Sequence, residues 1–432
     1  MFLSEKLSKP RVYETLLFIA LLSGPPRLRE RDPFSSLSGA VDWSVLLNAA
    51  VWSVGAFWVF LNLGGYLIKG RSVPRFGLLH ILAFLLAFCL YLSTFTSLAP
   101  ILTFYRVSQI PIAVLFGFFW VRRFGVDSTL RHLLAGFLTM CIAIVVSAFV
   151  APELVYTEDT ILRDTRLRGD SIANTGAVAA MGLVLLLGYP SGIRSRLIKL
   201  GMLALVLPLL ALAQTRDSYV VVLLFVLLAL FRLPRSTGLR AFLYALATSV
   251  PVVIMMGWTS TLFAHLVREQ RSLSTFSDRL PLWQYTVSEV LDRSPWTGLG
   301  FYANRTITTA YNAALGTSHS AYMEIFSGGG ILASLVFSVM VVVELFLALR
   351  LLLLYGRNPT VFSTVSLLFG TLLIGVTSEE MVISSPTSFA FWILLSLISA
   401  LTSAAHTQAQ GVEIEIREDD SSSSRVLPAA RR

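Results

Sequence analysis

A histidine and a few arginines stand where this sequence could hold an anion and move a proton. Arg216 lies in Gln214-Thr215-Arg216-Asp217, between apolar runs from Leu200 to Ala213 and from Ser218 to Phe231. Two membrane crossings of about 20 residues each need more apolar chain than lies between Lys199 and Arg232, so the polar apex is expected below a membrane surface. A guanidinium at that depth must face protein or a water-filled cavity. The competing account is a pair of short helices with Lys199 and Arg232 snorkelling to the surface. Arg279 stands in Ser277-Asp278-Arg279-Leu280-Pro281-Leu282-Trp283. Pro281 suits an early helix position, which puts Arg279 at an N-terminus where backbone N–H groups favour anions. A plain capping or surface arginine is the alternative there. His319, in Gly316-Thr317-Ser318-His319-Ser320-Ala321-Tyr322-Met323-Glu324, precedes a short helix and the break Gly328-Gly329-Gly330. It is either a base poised near neutral pH or a hydrogen-bonded loop histidine.

The elements that must position these residues are membrane helices. Hydrophobic residues make up 55 % of the 432-residue chain and charged ones 14 %, and apolar runs recur from end to end, which excludes a soluble single-core domain. The expected fold is an all-α polytopic membrane protein of about twelve transmembrane helices with one long periplasmic loop containing short helices. The spans read as 12–24, 43–68, 76–97, 101–121, 132–151, 172–189, 197–213, 217–231, 240–257, 331–353, 361–377 and 387–404. Four regions follow: helices 1 to 9 in 1–257, the loop in 258–330, helices 10 to 12 in 331–404, and a disordered cytoplasmic tail in 405–432. The first span follows Lys6, Lys9 and Arg11 and so resembles a signal peptide, but Ser23-Gly24-Pro25-Pro26 makes a poor cleavage site and it is kept as a helix.

Orientation comes from the short loops. One alternate set carries Lys69, Arg71 and Arg75; Arg122, Arg123 and Arg131; Arg194, Arg196 and Lys199; Arg232, Arg235 and Arg240; then Arg350 and Arg357. By the positive-inside rule that face is cytoplasmic, with both termini. The other face uses arginine alone, whose planar fork suits phosphate oxygens. The net charge of +9 comes mainly from loops facing anionic lipid, so no nucleic-acid partner is expected. Cys89 and Cys141 fall mid-span as apolar fillers, and no Cys or His cluster has metal spacing. Of the five histidines, His80 and His132 fall at cytoplasmic span ends and His406 in the tail; outside, His265 is flanked by apolar residues and reads as packing, leaving His319.

The order of these elements resembles the O-antigen polymerase and ligase superfamily: Wzy-type polymerases, exopolysaccharide polymerases and lipopolysaccharide O-antigen ligases. The residues that carry the resemblance are Arg168 with Gly169 and Asn174; Arg216; Arg279 with Trp283; Pro295, Gly298 and Gly300; and His319 with Tyr322. Two positions depart from the usual pattern, Ser320 where family members carry Asn and Asp278 where a small residue is common. The resemblance implies a bacterial inner-membrane glycosyltransferase whose donor is a glycan on undecaprenyl diphosphate and whose acceptor is another glycan or lipid A-core. It implies His319 as the base, Arg216, Arg279 and Arg168 as diphosphate-binding residues, and Tyr322 and Trp283 as substrate-positioning residues.

Such a transfer needs a diphosphate site and a base, and no metal or cofactor. With one base and no obvious nucleophile, single displacement with inversion is expected. Arg106, about 9 Å into its span from Pro100, is a further diphosphate-binding candidate, or else snorkels. Glu380, beside Glu379 in the last outer loop, could orient the acceptor or be simply solvated. Within the family the segments around Arg279 and His319 look more like polymerases, with ligases as the alternative; a chain-length regulator is a further partner the resemblance allows. From another class, a lipid-linked oligosaccharide flippase would show paired halves with broken helices and midplane polar groups. This chain instead gathers its polar candidates on one side.

Overall fold

In the computed structural model, residues 8–24, 43–69, 75–159, 164–167, 174–189, 195–213, 215–230, 279–311, 318–378, 381–382 and 385–422 are described. Helices dominate, because a backbone in hydrocarbon must satisfy its own N–H and C=O groups. They are α1 (Val12–Ser23), α2 (Trp43–Ile68), α3 (Leu78–Leu92), α4 (Pro100–Phe124), α5 (Val126–Val150), α6 (Thr175–Gly188), α7 (Arg196–Ala213) and α8 (Arg216–Leu230). Then follow α9 (Arg279–Arg293), α10 (Arg305–Tyr311), α11 (Ala321–Tyr355), α12 (Pro359–Thr377) and α13 (Pro386–Ser422).

Eight of the described helices are long and apolar enough to cross a membrane: α2, α3, α4, α5, α7, α11, α12 and the Pro386–Thr407 part of α13. Three more of the expected spans are present as shorter apolar helices, α1, α6 and α8, and the expected span 240–257 lies outside the described residues. The chain is a multi-pass membrane protein. Beyond Thr407, α13 continues as helix through the charged stretch to Ser422. One departure from all-helical structure is an antiparallel hairpin between α5 and α6, in which β1 (Tyr156–Asp159) pairs with β2 (Asp164–Leu167).

The first helix is part of the bundle. Phe18 packs against Trp120 and Phe389 with ring centroids 4.7 and 5.6 Å away. The fully buried Glu14 carboxylate meets Arg123 of α4 at 3.0 Å and accepts from the Trp58 indole of α2 at 3.3 Å. Cys89 and Cys141 are buried free thiols, as expected of apolar fillers.

A central layer formed by α4, α12 and α13 is wrapped by the rest: α13 lies on α4, α11 on α3 and α12, and α6 between α5, α7, α8 and α12. Alternation of direction brings the end of α3, the α7–α8 apex, the start of α11 and the α12–α13 connection to one end of the bundle. The candidate site lies at that end.

Candidate functional site

The site is built on two glycine motifs that lock together. Within α11 the backbone leaves helical geometry at Gly330 (φ 65°, ψ −160°), which frees peptide groups that a buried position cannot leave unpaired. The Pro295–Gly300 turn supplies partners. Leu299 and Gly300 donate to the carbonyls of Ser327 and Gly328 at 2.9 and 3.1 Å, and Ile331 and Leu332 donate to those of Pro295 and Trp296 at 2.9 and 3.2 Å. A Cβ on Gly298 would lie 2.5 Å from the Gly330 nitrogen, and one on Gly330 the same distance from the Trp296 carbonyl carbon. Both glycines also have positive φ, so side chains are excluded by backbone angle and by space. The α3–α4 connection clasps the turn, with Thr96 Oγ1 donating to the Gly298 carbonyl at 2.8 Å.

The break folds the front of α11 back along its own second half. Tyr322 and Phe337 would be about 22 Å apart along a straight helix, yet their rings are 5.5 Å apart. The Tyr322 hydroxyl reaches the Leu372 carbonyl of α12 at 3.5 Å. The front piece therefore packs into the bundle.

At the start of that front piece stands His319, half-buried, with a left-handed backbone (φ 50°). Its neighbours are clamped from two sides. Trp283 Nε1 of α9 donates to the Ser318 carbonyl at 2.7 Å. The Ser318 hydroxyl bonds the buried Glu324 Oε2 at 3.1 Å, and Ser320 caps α11 by accepting from the Met323 amide. Arg279 is the first residue of α9, one turn ahead of Trp283 and so on the same face. The structure thus brings Arg279, Trp283 and His319 to one corner. α9 forms because Pro281 sits in its first turn and Leu282, Thr286 and Val290 bury one stripe.

Arg216 opens α8. The apex just before it sits against the start of α6: a Cβ on Gly176 would lie 1.7 Å from Thr215 Oγ1 and 2.4 Å from Ser218 Oγ. Asn174 caps α6 by accepting from the Ala177 amide at 3.2 Å. Val221, just inside α8, meets α12 at Gly370, two residues before the carbonyl that Tyr322 contacts. The Arg216 apex and the His319 corner therefore flank the same end of α12. Arg168, Gly169, Glu379 and Glu380 lie outside the described residues.

Arg106 joins a different cluster. Its guanidinium carbon stands 4.3 Å from the Tyr302 ring centroid, and that of Arg305 stands 4.0 Å from the same ring. The sequence reading missed Arg305 and the clamp residue Glu324; the only signal for Arg305 is its place five residues after Gly300 in an arginine-bearing loop.

Residues 201–338 match the family described as O-antigen ligase. Over that stretch, about a third of its length, the chain is similar to the O-antigen polymerase and ligase superfamily. No curated protein matches the chain. The matched stretch takes in the Arg216 apex, Arg279, the Pro295–Gly300 turn, His319 and the Gly330 break. Members of this superfamily are glycosyltransferase-like enzymes acting on lipid-linked glycans and an acceptor, which fits a site at one end of an apolar bundle.

Proposed function

We propose that the protein is an inner-membrane glycosyltransferase that takes a glycan from undecaprenyl diphosphate at the periplasmic face and polymerises O-antigen or exopolysaccharide repeat units. The observation that carries this reading is the corner where α9 fixes the His319 loop through Trp283, with Arg279 one turn away. His319 acts as the base. It accepts the proton of an acceptor hydroxyl as that oxygen attacks the anomeric carbon, the bond from that carbon to the diphosphate oxygen breaks, and the diphosphate leaves with the electron pair. Attack opposite the leaving group inverts the anomeric configuration. Arg279 and Arg216, with Arg168 beside the α6 start in sequence, neutralise the charge growing on the leaving group, where fixed donors in a dry site act most strongly. Tyr322, Trp283 and Glu380 position substrate and base. The positive-inside pattern supports the periplasmic face and cytoplasmic termini.

A second reading, ligation of the glycan to lipid A-core, is favoured by the family description over residues 201–338. The same base and diphosphate site would serve either acceptor. The deciding experiment incubates purified protein with lipid-linked repeat units in the absence of metal and of lipid A-core. Longer glycans on the carrier support polymerisation; product only after core lipid is added supports ligation; no product with either removes the transferase reading.

A further inference from the structure

Helix α10 runs back along α9 and closes a small lobe with a core of its own. Ile307 packs there with Val290 and Leu299, and four residues later the Tyr311 ring centroid lies 5.0 Å from that of Tyr285, with 32° between the planes. Tyr285 is half-buried against that core, whereas Tyr311 is 42 % exposed. At this offset-stacking distance Tyr285 backs the Tyr311 ring, so the exposure of Tyr311 is carried by its outward side. A tyrosine held in this way loses little further freedom when a ligand meets it.

The surroundings of the ring are charged. Glu289, one turn on from Tyr285, forms an ion pair of 2.7 Å with Arg293, whose side chain is 55 % exposed. Asp292 at the same end of α9 is exposed as well. Three charged groups on this rim place the lobe in water and not among acyl chains. They also make it a poor seat for an apolar partner helix, which would bury them.

A flat ring face with a polar rim matches the surface of a sugar. A pyranose offers a face of C–H bonds whose partial positive charge meets the negative face of an aromatic ring, and an edge of hydroxyls that charged groups bind. The platform is also close to the His319 corner. Leu282, Thr286 and Val290 bury the stripe between the two flanks of α9. Trp283, which holds the His319 loop, stands on one flank and Tyr285, two residues on, stands on the other. The flanks are separated by about one helix diameter, roughly 10 Å. A glycan reacting at His319 has its neighbouring sugars within that reach.

We propose that Tyr311, backed by Tyr285, is a saccharide-binding platform that stacks a pyranose of the substrate glycan beyond the sugar that reacts. Assigning that glycan to the reaction rests on the transferase reading; the saccharide site itself does not. Donor and acceptor glycans present the same pyranose chemistry, and kinetics separate them.

Saturation-transfer NMR on the full-length protein in detergent tests the site, with free repeat-unit oligosaccharide released from its lipid carrier by mild acid as the probe. Irradiating aromatic protons should transfer magnetisation to sugar C–H protons. Tyr311→Leu keeps apolar contact with Tyr285 but removes the ring, and should weaken binding at least fivefold; Tyr311→Phe keeps the ring and should stay within twofold. In wild-type protein with ring-deuterated tyrosines the transfer should collapse, a result that depends on no substitution. Absent binding, equal binding in Tyr311→Leu, equal losses in the Leu and Phe variants, or transfer that survives tyrosine deuteration overturns the proposal. In transfer assays Tyr311→Leu is expected to raise one KM about fivefold, that of the substrate whose glycan occupies the platform, with kcat within twofold. A rise in both the donor and the acceptor KM, or in neither, overturns the assignment to the reaction. Wild-type protein that binds the oligosaccharide yet transfers nothing would sink the transferase reading and leave the saccharide site standing.

Discussion

Gly300 donates its amide to the carbonyl of Gly328 at 3.1 Å, and through that bond two glycine motifs distant in the chain become one structural unit. The turn replaces the helical partners that the break at Gly330 removes. The break in turn lets the front of α11 fold inward and set His319 opposite Trp283.

Gly330→Ala should unfold this unit. Its φ and ψ fall in a region open essentially to glycine, at a cost of about 1–3 kcal/mol for other residues, and the new Cβ would meet the Trp296 backbone at 2.5 Å. Gly201→Ala in α7, where an added Cβ meets nothing within 4 Å, is the matched control and should be neutral or slightly stabilising. Thermal unfolding in detergent reads both; an unchanged midpoint in Gly330→Ala would mean that the break is not held as described.

His319→Asn separates chemistry from fold. Asparagine tolerates the left-handed backbone seen at this position, so membrane abundance and thermal stability should match wild type. Transfer should drop by about 10²–10⁴-fold, the usual worth of a positioned base. Polymer at wild-type levels would remove His319 from the mechanism.

Arg216→Lys and Arg279→Lys retain charge but replace a planar fork by a point charge. Each should slow transfer about tenfold to a hundredfold, corresponding to roughly 1.4–2.8 kcal/mol of lost stabilisation of the departing diphosphate. Single-turnover rates on saturating donor distinguish this from weaker binding. Wild-type rates in Arg216→Lys would favour the account in which the α7–α8 apex is only a short polar hairpin.

Much of this architecture was legible from local signals. Apolar runs mark the described spans because each must fill a bilayer, and Pro281 with the Pro295–Gly300 turn brackets α9 because proline favours a helix start and a proline–glycine turn ends one. The glycine break was legible because a helix from Ser320 to Leu354 is too long for a bilayer. Its direction was not, since the inward fold depends on contacts between Tyr322, Phe337 and Leu372 that no local pattern encodes. For the same reason Arg106 gave no hint of its neighbour: Arg305 reaches the Tyr302 ring only through the positive φ of Tyr302 and the docking of the preceding turn. The short hairpin at 156–167 was also hidden, because alternating charges and threonine read equally well as a solvated loop.

Trp283→Phe tests how the base is held. Phenylalanine keeps most of the ring packing but cannot donate the 2.7 Å bond to the Ser318 carbonyl, a loss of about 1 kcal/mol. If that bond fixes His319 for proton transfer, the rate at saturating donor should fall about fivefold while the donor KM is little changed. Glu324→Gln should do less, because a glutamine oxygen still accepts from the Ser318 hydroxyl, which the glutamate now holds at 3.1 Å. A large effect of Glu324→Gln beside a silent Trp283→Phe would invert this order and place the clamp on α11 itself. The α9 helix would then matter for Arg279 alone.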